Sequence, residues 1–470
     1  MMDSYTIQSK VLNKNRIFIL QKSELEKRFD PLYYAHVFNE YEKKLINKPF
    51  KKFHQILKSI NNGYDFREYK DIGTPYLKVA NVKQGELDFT KIQYIDFNSS
   101  EISKNIQLKK GNLILTRKGT FGNAFALDKD YDFVISSEVF YIELNGNSIL
   151  PKFLEIFFNS IIGQAQFDKH KIGAIMGSLS QEAIKELIIP FPSLEIQNNI
   201  ISIYKNYIDQ KKKNAAKAER LLSCIDDYLL GELGINIPVL PENTLKNRIY
   251  NSTIKTISGY RFDPYHHQKS FTNIAQAINK SKFRVSVLKH IIKDLKNGVE
   301  IRTYVEEGGI RYLRVTDLGK FGLNSDSPRY VKTQAIPDRI KLNENCILIS
   351  RSGSLGLINT FEKTIADTIL SSHIFKVELQ TDVINPKYLE AYLRSKIGQS
   401  EIFRNNNGGV IPEINQEALK SIQVVVPPIE KQKEIANHIS TIRQQAQQLK
   451  GKTKEILAQT NKEINRILLD

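Results

Sequence analysis

EIQNNIISIYKNYIDQ, Glu195 to Gln210, opens the stretch that decides how this chain folds; it follows the proline turn IPFPSL and runs on to Leu230. Apolar residues recur at Ile196, Ile200, Ile203, Tyr207, Ala218, Leu221, Ile225 and Leu229, steps of three and four that paint one seam along a long helix. The run Lys211 to Lys213 interrupts that seam once. A second stretch, Glu430 to Leu468, follows VPPI and repeats the pattern at Ile435, Ile439, Ile442, Ala446, Leu449, Thr453, Ile456, Thr460, Ile464 and Ile467. Alone in water each helix would expose its seam, so the economical arrangement packs the two together as a coiled coil. Two unrelated amphipathic helices, each docked on its own domain, are the alternative.

Outward from these helices the chain repeats itself. NRIF at Asn15 returns as NRIY at Asn247, and RFDP at Arg28 returns at Arg261. YLKVANVKQG at Tyr76 is echoed by YLRVTDLGKFG at Tyr312, and NLILTRKGTFG with Arg117 by CILISRSGSLG with Arg351. ISSEVFYIEL at Ile135 pairs with LSSHIFKVEL at Leu370, PKFLEIFFNSIIGQ at Pro151 with PKYLEAYLRSKIGQ at Pro386, and QEAIKELIIPFP at Gln181 with QEALKSIQVVVPP at Gln416. One order at a nearly constant offset, close to half of the 470 residues, indicates a tandem duplication. Each copy holds β-branched and aromatic runs bounded by turn residues, followed by proline-opened helices, and so reads as α+β. The division expected is residues 1–194 and 234–428 as globular parts, the latter beginning with the linker GINIPVLPENT, with 195–233 and 429–470 as long helices.

Lys and Arg number 68 against 51 Asp and Glu, a formal charge of +17 that favours a polyanionic partner, nucleic acid first and an acidic membrane surface second. The apolar runs are too short to span a bilayer and the first residues lack an apolar signal core, so a cytoplasmic protein is expected. Cys224 and Cys346 are too few for a disulfide framework and are read as small core residues.

Common catalytic patterns are missing from the sequence. There is no GxxxxGK[ST] loop for ATP, no GxGxxG cradle, no HExxH and no GxSxG elbow. Pro337-Asp338 could open a nuclease site, but no Asp or Glu in the following residues has Lys two positions on. His266-His267 stands where the first copy has Tyr33-Tyr34 and is read as surface or local packing. No catalytic or metal residues are therefore assigned.

Binding residues remain. TRKGTFG and SRSGSLG place Arg117, Lys118 and Thr120 in one copy, and Arg351, Ser352 and Ser354 in the other, beside glycines that let backbone approach phosphate. The same glycines and arginines also suit a hairpin with a structural anchor. Arg67 and Lys70 with Lys83, and Arg302 with Arg314, lie in or near polar loops of matched position. Lys169 and Lys171, and Arg404, Asn405 and Asn406, lie in or beside Gly-rich segments, where Lys and Arg would meet phosphate and Asn could pair with adenine.

The whole chain resembles the specificity subunits of type I restriction-modification enzymes. The carriers are the two RFDP openings, YLKVANV and YLRVTDL, LTRKGTFG and ISRSGSLG, and the blocks QEAIKELIIPFPSLEIQ and QEALKSIQVVVPPIEKQ leading into long helices. The resemblance implies two target recognition domains, each reading half of a split site on double-stranded DNA, held apart by antiparallel spacer helices about a pseudo-two-fold axis. It also implies docking of two modification (methyltransferase) subunits and of restriction (translocase and nuclease) subunits. S-adenosylmethionine, ATP and magnesium would then belong to those partners, with no cofactor in this chain. Helices roughly 54 and 58 Å long at about 1.5 Å per residue would act as the ruler between the half-sites. A related two-component methyltransferase or phage-defence system would use the same kind of reader, and a self-contained nuclease or methyltransferase with an unrecognised site is the enzyme-class alternative.

Overall fold

The computed structural model describes residues 19–469 except 26–28, 30, 35, 97–106, 174–176, 240, 241, 243, 252, 258–260, 307, 320, 321, 325, 326, 333–339, 345 and 362–366. The NRIF segment, Arg28 and Asp30 of the first RFDP, and Pro337-Asp338 lie outside the described residues. The chain divides into two compact units, one of residues Met1–Lys212 with Lys452–Asp470 and one of Lys213–Gly451. The division passes through both long helices, so each unit takes one part of each.

Leu194–Leu233 is a single helix of 40 residues and Ile429–Leu469 one of 41. Neither Lys211–Lys213 nor Gly451 breaks its helix, because a lysine run keeps good helix propensity and one glycine costs only about 1 kcal/mol. In the first unit Ile200, Tyr204 and Tyr207 of the first helix share a core with Ile464 and Leu468 of the second. In the second unit Ile225, Leu229 and Leu233 share one with Ile435, Ala436 and Ile439. There the Tyr228 ring lies 4.2 Å from that of His438, and Glu232 pairs with Lys431 at 2.6 Å, so the two segments run antiparallel. One seam residue and one expected core residue need correction. Ile196 is 39 % exposed, and Cys224, expected in the core, is exposed while Cys346 is buried.

The globular parts share one topology. An antiparallel sheet runs Leu57–Asn62, Val139–Leu144, Leu113–Thr116, Ala124–Ala126 in the first unit and Ile292–Asn297, Ile374–Leu379, Cys346–Ser350, Ile358–Thr360 in the second. Strands Leu113–Thr116 and Cys346–Ser350 are buried throughout because both sheet faces are covered. Leu113 and Leu115 face the helical side with Phe153, Phe157 and the long helices, whereas Ile114 faces Leu77, Val82 and Phe133. Ile347 and Ile349 face the helical side of the second unit and Leu348 faces Leu313 and Leu318. A smaller mixed sheet, ordered Gln93–Ile95, Thr74–Leu77, Val134–Ile135, recurs as Arg329–Val331, Ile310–Leu313, Thr368–Leu370.

The proline-opened segments each form two helices, Pro151–Asn159 with Ile161–His170 and Pro386–Arg394 with Lys396–Arg404. Ser160 and Ser395 sit at the breaks in extended backbone, and each hydroxyl caps the next helix through the amide of Gly163 or Gly398. The corner is tight enough that a Cβ on Gly163 would stand 2.3 Å from the Phe157 carbonyl oxygen, and one on Gly398 2.3 Å from that of Tyr392. Gly163→Ala and Gly398→Ala are each expected to destabilise by at least about 1–3 kcal/mol, read by urea unfolding.

Candidate nucleic-acid interface

Three loops are stitched together at one end of the four-stranded sheet in each unit. In the first, Tyr64 N–H donates to Ile135 O at 2.9 Å and Ser137 N–H to Tyr64 O at 2.7 Å, holding the Arg67 loop against the Ser-Ser turn. Arg117 N–H donates to Glu138 O at 2.9 Å, and Leu179 N–H to Arg117 O at 2.8 Å, adding the TRKGTFG hairpin and the Gly-rich segment. The second unit repeats three of these four bonds: Val299 N–H to Leu370 O at 2.8 Å, Arg351 N–H to His373 O at 2.9 Å and Ile414 N–H to Arg351 O at 2.8 Å. Glycine is required where the first two loops touch, since a Cβ on Gly63 would lie 2.1 Å from the Ile135 carbonyl oxygen and one on Gly298 2.3 Å from that of Leu370.

Several cations on and near these loops are exposed. Arg67 and Arg302 have side chains 89 % and 87 % accessible, each beside a less exposed acid two residues earlier, Asp65 at 3.5 Å and Glu300 at 2.7 Å. Lys70, Lys83, Lys118, Thr120 and Ser354 are also exposed. Lys78 lies 4.6 Å from the centre of the exposed Tyr69 ring, and Arg329 lies 5.6 Å from that of Tyr304. Cations stacked on exposed aromatic rings offer both phosphate contact and a flat apolar face. Beneath them Tyr76 and Tyr312 donate their hydroxyls to Tyr64 O at 2.7 Å and Val299 O at 2.9 Å. Burial pushes both phenols up, so they stay neutral donors that pin the loop bases.

Other sequence-derived candidates serve the fold. Lys169, expected on phosphate, is buried and ion-paired with Glu42 at 2.6 Å, under the Tyr33 ring. Asn405, expected on adenine, is buried with its amide donating to Glu401 O at 2.8 Å. A residue held this way cannot reach a base without breaking buried hydrogen bonds. Arg404 donates to His266 O at 3.3 Å and faces Glu401, Asn406 accepts from the Gly408 and Glu413 amides, and Lys171 faces Asp168 at 3.1 Å. Arg314 is half-buried and forked onto Asp317, whose hydrogen bonds push its guanidinium further up. Arg117 and Arg351 lie over the matched rings of Phe140 and Phe375, and Arg351 also pairs with Glu413, which favours the anchor reading of that hairpin. Ser352 is buried with its hydroxyl 2.5 Å from His373 Nδ1. His266 and His267 are buried ring against ring, and burial together with Arg404 pushes His266 down to about 4.

Among the described residues no cluster of three or more His, Cys, Asp or Glu is placed to hold a metal ion, and no helix is long and apolar enough to cross a membrane. The family described as type I restriction modification DNA specificity domain matches residues 47–221 and 303–458, one match in each copy. The chain belongs to that family. As a type I specificity chain it is the DNA-recognising, non-catalytic component of such systems. It is 22 % identical over 426 residues to a provisionally named type I restriction enzyme MjaX specificity subunit of Methanocaldococcus jannaschii, covering 88 % of this chain and 91 % of that one. It is 20 % identical over 416 residues to the type I restriction enzyme EcoBI specificity subunit of Escherichia coli, covering 87 % and 82 %. The crystal structure of a type I restriction-modification S subunit from M. genitalium aligns at 16 % identity and a TM-score of 0.42, over 90 % of this chain and 96 % of that one.

Two residues that loop composition did not single out, Glu138 and His373, sit where the turn joins the hairpin, their carbonyls accepting from Arg117 and Arg351 N–H. Aligning ISSEVF with LSSHIF exposes them, because only the fourth of their first four positions changes chemical class.

Proposed function

We propose that this chain reads a bipartite, asymmetric site on double-stranded DNA, one half-site per unit, and carries two modification subunits, with restriction subunits joining them. The observation that carries this reading is that two units of one topology present unlike side chains at the same three loops. Identical frames favour equivalent docking on DNA, and unlike side chains favour unlike half-sites. The long paired helices supply extended surface for partner helices. Methyl transfer and ATP-driven cleavage then fall to the partners, with S-adenosylmethionine, ATP and magnesium bound there, and the complex works in the cytoplasm.

Co-expression with its modification subunits, followed by methylation mapping of the host genome, is expected to give one motif with two unlike halves and an unread gap. A motif without a gap, or methylation by this chain alone, would overturn the proposal. Arg302→Ala is expected to weaken binding to all duplexes alike and to lower the slope of log K against log salt by about one. Salt titrations on matched and random duplex check this.

A further inference from the structure

The duplication provides an internal comparison at the recognition end, because residues with a structural duty are retained in both units while their neighbours diverge. In the Ser-Ser turn Ser136 matches Ser371 and Ser137 matches Ser372; in the facing hairpin Arg117 matches Arg351 and Gly119 matches Gly353. The backbone bond joining turn to hairpin is also kept, from Arg117 to Glu138 O and from Arg351 to His373 O, each at 2.9 Å. Side chains at the joint are not kept. The first unit has Glu138 with Lys118 one residue past the arginine, and the second has His373 with Ser352. Glu138 is half-buried and His373 exposed, so neither is needed for the core.

From this contrast we infer that Glu138 and His373 are equivalent base-reading residues, one for each half-site; the inference rests on the proposed DNA-reading function. The frame delivers the two side chains from the same backbone position, and their chemistry differs. An ionised carboxylate only accepts hydrogen bonds, so Glu138 fits a base with an exocyclic amine in the major groove, cytosine N4 or adenine N6. The His373 ring is oriented from behind by Ser352, whose hydroxyl lies 2.5 Å from Nδ1. That hydrogen bond holds the ring in place and turns Nε2 to a base edge, as acceptor when the hydroxyl donates to Nδ1 and as donor when it accepts from Nδ1–H. Ser352 is thus a positioning residue, buried at 9 % accessibility, and His373 the reader.

The test uses the full chain co-expressed with its modification subunits and reads the methylated motif of Glu138→Gln, His373→Gln and Ser352→Ala against the parent. Glu138→Gln, which adds a donor, is expected to relax discrimination at one base pair of one half-site by about 5- to 150-fold, admitting keto bases where cytosine or adenine was required. His373→Gln is expected to change one base pair of the other half-site by a similar factor, and Ser352→Ala to blur that same base pair while retaining the histidine. A parent motif returned unchanged by both reader variants, or a loss spread evenly over all positions, overturns the inference and leaves the proposed function standing. A parent that yields no motif overturns the proposed function itself. Thermal unfolding matching the parent separates a changed reader from a damaged fold, and a destabilised variant that keeps the parent motif counts against the assignment.

Discussion

Gln432→Leu is expected to remove about 2–5 kcal/mol from the stability of the second unit, because it takes the partner from three backbone groups at once, one buried and two part-buried, each costing up to about 1–3 kcal/mol when left unpaired. Gln432 is fully buried in the first turn of its long helix. Its Oε1 accepts from Asn385 N–H at 2.8 Å, and its Nε2 donates to Val383 O at 3.0 Å and Pro427 O at 2.8 Å. Gln197 holds the equivalent place in the first unit, accepting from Leu150 N–H at 2.8 Å and donating to Ser148 O and Pro192 O, both at 3.0 Å. One amide therefore ties the start of a long helix to the loop before a proline-opened helix and to the turn that launches the long helix. Leucine matches the volume and offers none of the three bonds. Urea unfolding should show a lowered midpoint with little change in slope for either Gln432→Leu or Gln197→Leu. A loss below about 1 kcal/mol, the scale of an ordinary exposed hydrogen bond, would mean that the loops rearrange to satisfy themselves.

This latch also shows what a sequence discloses and what it withholds. The EIQ and EKQ blocks stand out as part of the repeat; the seams follow from apolar spacing, the duplication from recurring motifs, and the α+β character from strand-like runs and proline-opened helices. Taken by itself the glutamine is one more polar residue in a helix's first turn, because nothing in a linear pattern says that a distant loop will fold over it. Ser160 and Ser395 were hidden similarly: apolar residues continue on both sides, and only the corner geometry at Gly163 and Gly398 divides the run into two helices. Among the site residues, Arg67, Lys70, Lys118 and Arg302 lie where loop composition placed them, on exposed surface. Lys169 and Asn405 had equally polar neighbours, yet Glu42 and Glu401, far or near in sequence, draw them inside. Burial of a polar residue is decided by its partner, and partners across long sequence separations are not written in local composition.

The matched glutamates Glu155 and Glu390 put that dependence on partners to a sharper test. Both are buried at the same point of the repeat, and burial alone would raise either carboxyl. Around Glu390 that rise is more than offset by Arg443 and Arg394, with Thr360 hydrogen-bonded as well, so its carboxyl sits below the ordinary glutamate range. Burial pushes the Arg443 guanidinium down while Glu390 pulls it the other way, but an arginine has ample margin to stay charged. Around Glu155 burial wins: Lys152 at 2.5 Å and the Ala126 amide at 2.8 Å oppose it, and the carboxyl stays raised. The linkage signs are therefore opposite. A depressed carboxyl supports the fold above its unfolded pKa, about 4.3, and loses that support as pH falls through the lower folded value. A raised carboxyl contributes most when protonated, and its contribution falls as pH climbs from about 4.3 through the higher folded value. Glu390→Gln is thus expected to cost about 3–5 kcal/mol at neutral pH, with the cost shrinking below about pH 4 as the parent loses the same interaction. Glu155→Gln, which keeps an acceptor for Ala126 N–H and removes a charge from the interior, is expected to stay within about 1 kcal/mol of the parent at neutral pH and to fall behind it on acidification. Urea midpoints of parent and variants across pH 3 to 8 (a range of about five units) give the two difference curves, in which unaltered groups cancel. Parallel curves would show that the flanking arginines of the second unit do not distinguish these two sites, and that duplication preserved the electrostatics along with the fold.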